Sequence, residues 1–163
     1  MSMNDIDFKL SAKANGTITY KTSNTKVATV SSSGVVTLKG VGSAKITITA
    51  GDSTYQTATK TVNVRVVPSA VELTTIASNS KKALSVKWEK MSGVSGFKIQ
   101  YSLTKDFKNV KTSYVGSLRH SKTRSDLNAG KKYYVRVCAY KKIGKTTYYS
   151  DYSDTKVYTV KSK

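Results

Sequence analysis

Leu127-Asn-Ala-Gly-Lys-Lys-Tyr-Tyr-Val-Arg-Val-Cys-Ala-Tyr140 is the stretch that decides the fold class. Its apolar residues recur at period two, and an extended strand sends successive side chains to opposite faces. Alternation turns Tyr133, Val135 and Val137 inward and leaves Tyr134, Arg136 and Cys138 on the outer face. Upstream, Leu84-Ser-Val-Lys-Trp88 and Phe97-Lys-Ile-Gln-Tyr101 alternate in the same way, the first carrying the single tryptophan.

The period holds in the first part of the chain. Phe8, Leu10, Ala12 and Ala14 alternate with polar partners, and Ile18 and Tyr20 follow the turn at Asn15-Gly16. Ala28 and Val30, Val36 and Leu38, then Ala44, Ile46, Ile48 and Ala50, and finally Val62, Val64 and Val66 continue it. Ser33-Gly34, Gly40-Val41-Gly42 and Gly51-Asp52 punctuate these runs at the short spacing of a sandwich or barrel. No stretch places apolar residues at helical spacing for more than a few positions. The expected class is all-β, with two tandem antiparallel β-sandwiches. Pro68, the single proline, ends the run Val62–Val67 and divides the chain. Domain one is residues 1–67, the linker 68–70, and domain two residues 71–163.

Charge is uneven across that division. The net charge is +19; up to Pro68 there are 8 basic and 3 acidic residues, and beyond it 20 and 6, so +5 and +14. Only Arg65, Arg119, Arg124 and Arg136 are arginines. Bidentate reading of phosphates and bases relies on guanidinium forks, whereas lysine is a hydrated point charge. The composition therefore argues against nucleic acid as partner, and for solubility, blocked edge pairing and loose attraction to acidic polymers. Cys138 is the lone cysteine, which excludes an intramolecular disulfide. No apolar run approaches the roughly 20 residues that span a bilayer. Met1-Ser2-Met3-Asn4-Asp5-Ile6-Asp7 has neither the basic start nor the apolar middle of a signal peptide, and Met1-Ser2-Met3 reads as a recombinant start.

Two resemblances follow from these runs. Ile18-Thr-Tyr-Lys-Thr-Ser-Asn-Thr-Lys-Val-Ala-Thr-Val-Ser31, Ser33-Gly-Val-Val-Thr37, Gly42-Ser-Ala-Lys-Ile-Thr-Ile48 and Val62-Asn-Val-Arg-Val66 together resemble the bacterial immunoglobulin-like domain, group 2. Val27, Ala28 and Val30 would form a buried strand there, with Ile46 and Ile48 returning across the core. That family has a further strand ahead of the position of Phe8, where seven residues stand here, so its first strand is expected to be short. The stretch 127–140 resembles the fibronectin type III pattern L-x-P-G-x-x-Y-x-V-x-V-x-A, with Ala129 in place of proline. The resemblance implies that Trp88 is the core tryptophan and that the Tyr133 hydroxyl bonds back to backbone near Leu127. Gly96–Ser102, Lys105–Thr112 and Tyr140–Tyr149 are similar to the lysine-rich fibronectin type III variant of surface and secreted proteins from gram-positive anaerobes.

What the resemblances imply is two tandem immunoglobulin-like antiparallel β-sandwiches that form an extracellular, non-catalytic module of a bacterial cell-surface or secreted protein, acting as spacer and in adhesion. The alternative is an accessory glycan- or protein-binding module attached to a secreted carbohydrate-active enzyme. The expected partners are a cell-wall polysaccharide, a glycan or a host protein, together with neighbouring domains of a longer parent. Catalysis would need the sole histidine, His120, to meet Cys138 or a serine. One histidine and one cysteine fall short of a zinc site, and Asp106, Asp126, Asp151 and Asp154 lack calcium-loop spacing. Gly40 and Gly42 precede no helix that would cradle a phosphate, so no cofactor is expected. An Arg-Gly-Asp triplet is absent. The candidate contact surface is the hairpin carrying Lys141, Lys142, Lys145, Tyr148, Tyr149 and Tyr152. Tyrosine presents a flat apolar face with a hydroxyl at modest entropic cost. The competing reading is that these tyrosines merely cover the end of the sheet, since nine of the eleven tyrosines lie beyond Pro68.

Overall fold

In the computed structural model, which describes residues 1–2 and 7–162, the period-two stretches become strands, and every regular element among the described residues is β. The chain divides into two units, Met1–Val67 and Pro68–Lys163.

The first unit contains β1 (Phe8–Lys9), β2 (Ile18–Thr22), β3 (Ala28–Val30), β4 (Val35–Leu38), β5 (Gly42–Ala50) and β6 (Ala58–Val66). These form two three-stranded antiparallel sheets, in the orders β1-β4-β3 and β2-β5-β6. Val27, Ala28, Val36, Ala44, Ile46, Val64 and Val66 fill the space between them, flanked by Phe8, Leu10, Val30, Leu38 and Val62. Burying each such valine or isoleucine contributes about 1.5–3 kcal/mol. Ile48 is only half-buried and Ala14 is exposed, short of the expected crossing of the core. The cause is volume: Ala12, Ala14, Ala50 and Ala58 line an open cleft beside Ile48 that methyl groups cannot fill. At the chain start, Ser2 pairs in parallel with Val67, whose amide donates to the Met1 carbonyl at 2.9 Å. The rest of the expected first strand, residues 3–6, lies outside the described residues.

The second unit contains β7 (Leu73–Ala77), β8 (Leu84–Trp88), β9 (Gly96–Ser102), β10 (Lys111–Gly116), β11 (Ser121–Arg124), β12 (Lys132–Ile143), β13 (Thr146–Tyr149) and β14 (Lys156–Thr159). One sheet has the order β11-β8-β7. The other runs β10-β9-β12, and both β13 and β14 pair with the remaining edge of β12. The last edge is thus one strand interrupted at residues 150–155. Inward side chains from both sheets interdigitate: Leu84, Val86 and Trp88 against Phe97, Ile99, Tyr101, Tyr133, Val135 and Val137. The Trp88 and Phe97 rings meet at 5.3 Å between centroids. The alternation read for 127–140 holds, and Trp88 lies in the core as the resemblance implied. Tyr133 makes the implied corner with its hydroxyl as acceptor: the Asn128 amide donates to it at 3.1 Å. Cys138 takes its expected face but is buried there. It stands on the outer face of β12 yet is 1% exposed, because side chains from the interrupted edge cover it.

Candidate functional site

The interruption in the last edge is made by two serines. Opposite residues 137 and 139 of β12, the hydroxyls of Ser153 and Ser150 accept the Val137 and Ala139 amides at 3.0 and 2.9 Å. The Ser153 and Ser150 amides donate to the carbonyls of the same two residues, at 2.7 and 2.9 Å. Each hydroxyl also donates locally, Ser150 to the Asp151 carbonyl at 2.7 Å and Ser153 to that of Asp154 at 2.9 Å. The strand therefore leaves the ladder for six residues while the Val137 and Ala139 amides of β12 stay satisfied. Freed from pairing, the chain between the serines folds Tyr152 over the outer face.

Tyr152 lands on Arg136. The guanidinium carbon lies 3.9 Å from the Tyr152 ring centroid and 3.8 Å from that of Phe107, so it is held between two rings. Its Nε donates to Gln100 Oε1 at 2.9 Å, a bond that fixes the plane. Phe107 reaches this place from the β9–β10 connection with φ of 55°, an unusual backbone for a bulky residue. The Ser102 hydroxyl donates to the Lys108 carbonyl at 3.0 Å and helps hold the connection in that shape. Lys98 follows along the face, its Nζ 5.8 Å from the Tyr152 ring centroid and 5.5 Å from that of Tyr149. The Cys138 thiol lies beneath, pushed up in pKa chiefly by burial and eased down by Lys98, Tyr152 and Arg136.

Three further tyrosines cross the sheet. The register places Tyr149 opposite Tyr140 and Tyr140 opposite Gly96, with Tyr114 on the neighbouring β10. Gly96 has a packing reason: a Cβ there would meet the Val115 carbonyl oxygen and lie 2.8 Å from the Tyr140 hydroxyl. Tyr140 thus lies across the missing side chain and meets Tyr114 edge-on at 6.1 Å, with Tyr149 on its other side at 5.9 Å. Tyr114 is 56% and Tyr149 41% exposed. The Tyr149 phenol is pushed up, first by its partial burial and then by its hydrogen bond with Tyr114.

The electrostatics of this sheet are one-sided. Its five strands contain Lys98, Lys111, Lys132, Arg136, Lys141, Lys142 and Lys156, and neither aspartate nor glutamate. Carboxylates sit in connections, and exposed Asp151 and Asp154 stand on either side of Tyr152 in the interrupted edge. Asp126 pairs with Arg124 at 2.7 Å and Lys111 at 3.2 Å, and Asp106 with Lys108 at 3.0 Å. The hydrogen bond from Arg124 lowers the Asp126 carboxyl to about 2. Among the described residues no three His, Cys, Asp or Glu side chains gather as a metal site. His120 is exposed just ahead of β11 in one sheet, whereas Cys138 is buried on the other.

The structure divides the six hairpin residues picked from the sequence. Tyr149 and Lys142 lie on the outer face, and Tyr152 lies there over Arg136. Lys145 is exposed at the tip, beside Gly144, whose φ of 55° suits the first central position of a type II′ turn. Tyr148 is a correction. It pairs with Lys141, one residue out of phase with Tyr149, so it faces inward at 7% exposed, and half-buried Lys141 likewise shares that side rather than the outer face. Sequence reading missed Tyr114, Tyr140 and Lys98. The alternation that put Tyr134, Arg136 and Cys138 outward reaches Tyr140 two residues later, so that signal was present. Tyr114 became visible only through the register of β10 on β9.

Comparison with known proteins agrees with this architecture. The family model for the intimin immunoglobulin-like domain matches residues 5–52, and that for the fibronectin type III domain matches residues 67–156. Over 49 residues the chain is 55% identical to Intimin of Citrobacter freundii, a match covering 30% of this chain and 5% of that protein. A two-domain fibronectin type III segment of chicken tenascin is similar with a TM-score of 0.54 and 13% identity, covering 87% of this chain and 82% of the segment. A fibronectin type III domain of human contactin 1 is similar with a TM-score of 0.51 and 22% identity, covering 60% of this chain and 82% of that domain. At such identities the likeness is one of fold. Domains of both families are typically non-catalytic extracellular modules, and no helix among the described residues is long and apolar enough to cross a membrane. Since the second match takes in more than half of the chain, the chain belongs to the fibronectin type III family, its defining domain preceded by an immunoglobulin-like unit similar to that of intimin.

Proposed function

We propose that the chain is a non-catalytic segment of a bacterial surface or secreted protein, in which the immunoglobulin-like unit is a spacer and the fibronectin type III unit an adhesive face. The gram-positive source implied by the lysine-rich resemblance belongs to this reading. The observation that carries it is the outer face of the β10-β9-β12-β13/β14 sheet. Its cations and rings are held in place by one another rather than left to wander in solvent. A face ordered before binding gives up less side-chain entropy when a partner arrives. The partners it suits are a wall polysaccharide, another glycan or a host surface protein.

The test is binding of the labelled chain to bacterial walls and to host cells at 0.15 and 0.5 M salt. Saturable binding that survives the higher salt supports adhesion. Charge attraction alone fades as the Debye length shrinks from about 8 Å toward a few ångströms. Binding that disappears at the higher salt, or never saturates, leaves only the spacer.

A further inference from the structure

We propose that the row Tyr149–Tyr140–Tyr114, framed by Lys98 and Lys142, binds a carboxylate-bearing polysaccharide lying across the strands; this names a ligand class for the adhesive face proposed above.

The row has a geometric cause. Gly96 removes the side chain that would separate β12 from β10 on this face, and the Tyr140 ring occupies the space. Three phenol rings at spacings of 5.9 and 6.1 Å then form a band that crosses the strands obliquely, since Tyr114 is level with Lys98 rather than with Gly96, and its two exposed end tyrosines share a hydrogen bond. Such a band presents apolar area to the C–H faces of consecutive sugar rings and hydroxyls to their edges. Cations flank it on either side. Lys98 stands 5.5 Å from the Tyr149 centroid toward Arg136, and Lys142 is the next outward residue of β12 toward the hairpin tip. No strand of the sheet supplies a carboxylate, and the acidic residues of its last edge, Asp151 and Asp154, are confined to the interruption that carries Tyr152.

Two features select sugar over nucleic acid, the other polymer that combines charge with rings. Consecutive bases need parallel ring faces, and here the planes turn by 50° and then 75°. The guanidinium on the face, Arg136, is already bonded to Gln100 and closed between two rings, so the available cations are lysine point charges. Spaced single carboxylates match those better than phosphates, which favour arginine forks.

The experiment is titration of the chain with a galacturonate hexamer at 0.15 M salt. Parallel arms use its methyl ester, with the same sugar and no charge, and a thymidine decanucleotide. Saturable binding of the hexamer is expected. Tyr114→Ala with Tyr149→Ala should weaken it by about tenfold or more, roughly the 1.4 kcal/mol that one decade represents. Lys142→Gln alone should weaken it about two- to fivefold, the scale of an exposed ion pair. Both ring substitutions are at exposed positions, and an unchanged Trp88 fluorescence transition verifies folding. Equal binding of the ester, tighter binding of the decanucleotide, or full affinity in the double variant overturns the assignment. If the double variant still adheres to cells, the row is wrong while the adhesive reading stands. If the hexamer binds at the row but nothing adheres to cells, the adhesive reading fails alone.

Discussion

Ser150→Ala takes away the hydroxyl that accepts the Ala139 amide at 2.9 Å. Ala139 is fully buried and Ser150 is 6% exposed, so water cannot step in as acceptor. The relevant magnitude is that of an orphaned buried amide, about 1–3 kcal/mol, rather than the smaller net value of an exchanged bond. A middle figure of about 2 kcal/mol is the expected loss. For a domain of this size, each kcal/mol lowers Tm by about 4–8 °C, giving a drop of about 8–16 °C. Ser153→Ala should cost less, about 1 kcal/mol, since Ser153 is half-buried and the Val137 amide it receives has a wetter neighbour. The assay is urea unfolding followed by tryptophan fluorescence. Trp88 is the single tryptophan and lies in the core of the second unit, so its signal reports that unit without contribution from the first. The midpoint should fall while the slope with urea stays constant. A Ser150→Ala midpoint within about 0.3 kcal/mol of wild type, or a larger loss for Ser153→Ala, would refute the account of how the last edge leaves the ladder.

Other expectations rest on separate features. The Asp126 carboxyl titrates at about 2 when folded against about 3.9 when unfolded, so its contribution is complete above about pH 4 and lost as pH falls through 2. Because Asp126 is largely exposed, solvent discounts that contribution to under about 1 kcal/mol. The stability difference between wild type and Asp126→Asn should therefore narrow between pH 4 and pH 2, and a constant difference would contradict it. The Cys138 thiol, buried and raised in pKa, should resist a disulfide reagent at pH 8 in the native protein and react in guanidinium; rapid native reaction would show that Tyr152 does not cover it. Gly96→Ala drives a methyl group into the Val115 carbonyl and Tyr140, and should destabilise the second unit by about 1–3 kcal/mol. A neutral result there would mean that Tyr140 does not need the notch.

The sequence reveals what repeats every second residue. Tyr133, Val135 and Val137 point inward because a strand offers them no other choice once Leu84, Val86 and Trp88 face them. It hides what depends on register. Tyr148 and Tyr149 are adjacent and chemically identical, and only the pairing of β13 with β12 decides which one meets solvent. Tyr114 and Tyr149 are joined through two strands that lie between them in the sheet, and no local pattern announces that juxtaposition. Cys138 was assigned correctly to a face but not to an environment. A residue fourteen positions later covers it, through an interruption that the polar run 150–155 gives no hint of.

Edge protection and solubility, the ordinary reasons for surface lysine, account for part of the basic excess in the second unit. They suit Lys156, on the outermost strand, where it donates to the Thr74 carbonyl at 2.6 Å and ties the two sheets at their margin. They do not suit Lys98 and Arg136. Both sit on β9 and β12, which are paired on both sides, so neither guards an edge. Solubility is served by side chains that move freely in water, whereas Arg136 is closed between two rings and bonded to Gln100. Ordering such a side chain costs up to about 2 kcal/mol of rotamer entropy, and its stacking returns a comparable amount. What remains after that near-cancellation is placement: Arg136, closed between Phe107 and Tyr152, fixes Tyr152 over the face, and Lys98 is the cation set between Tyr152 and Tyr149. Placement has no value to a spacer. It has value to a module that meets a partner carrying negative charge at regular intervals, and for that reason the face rather than the hairpin tip is where binding should be sought.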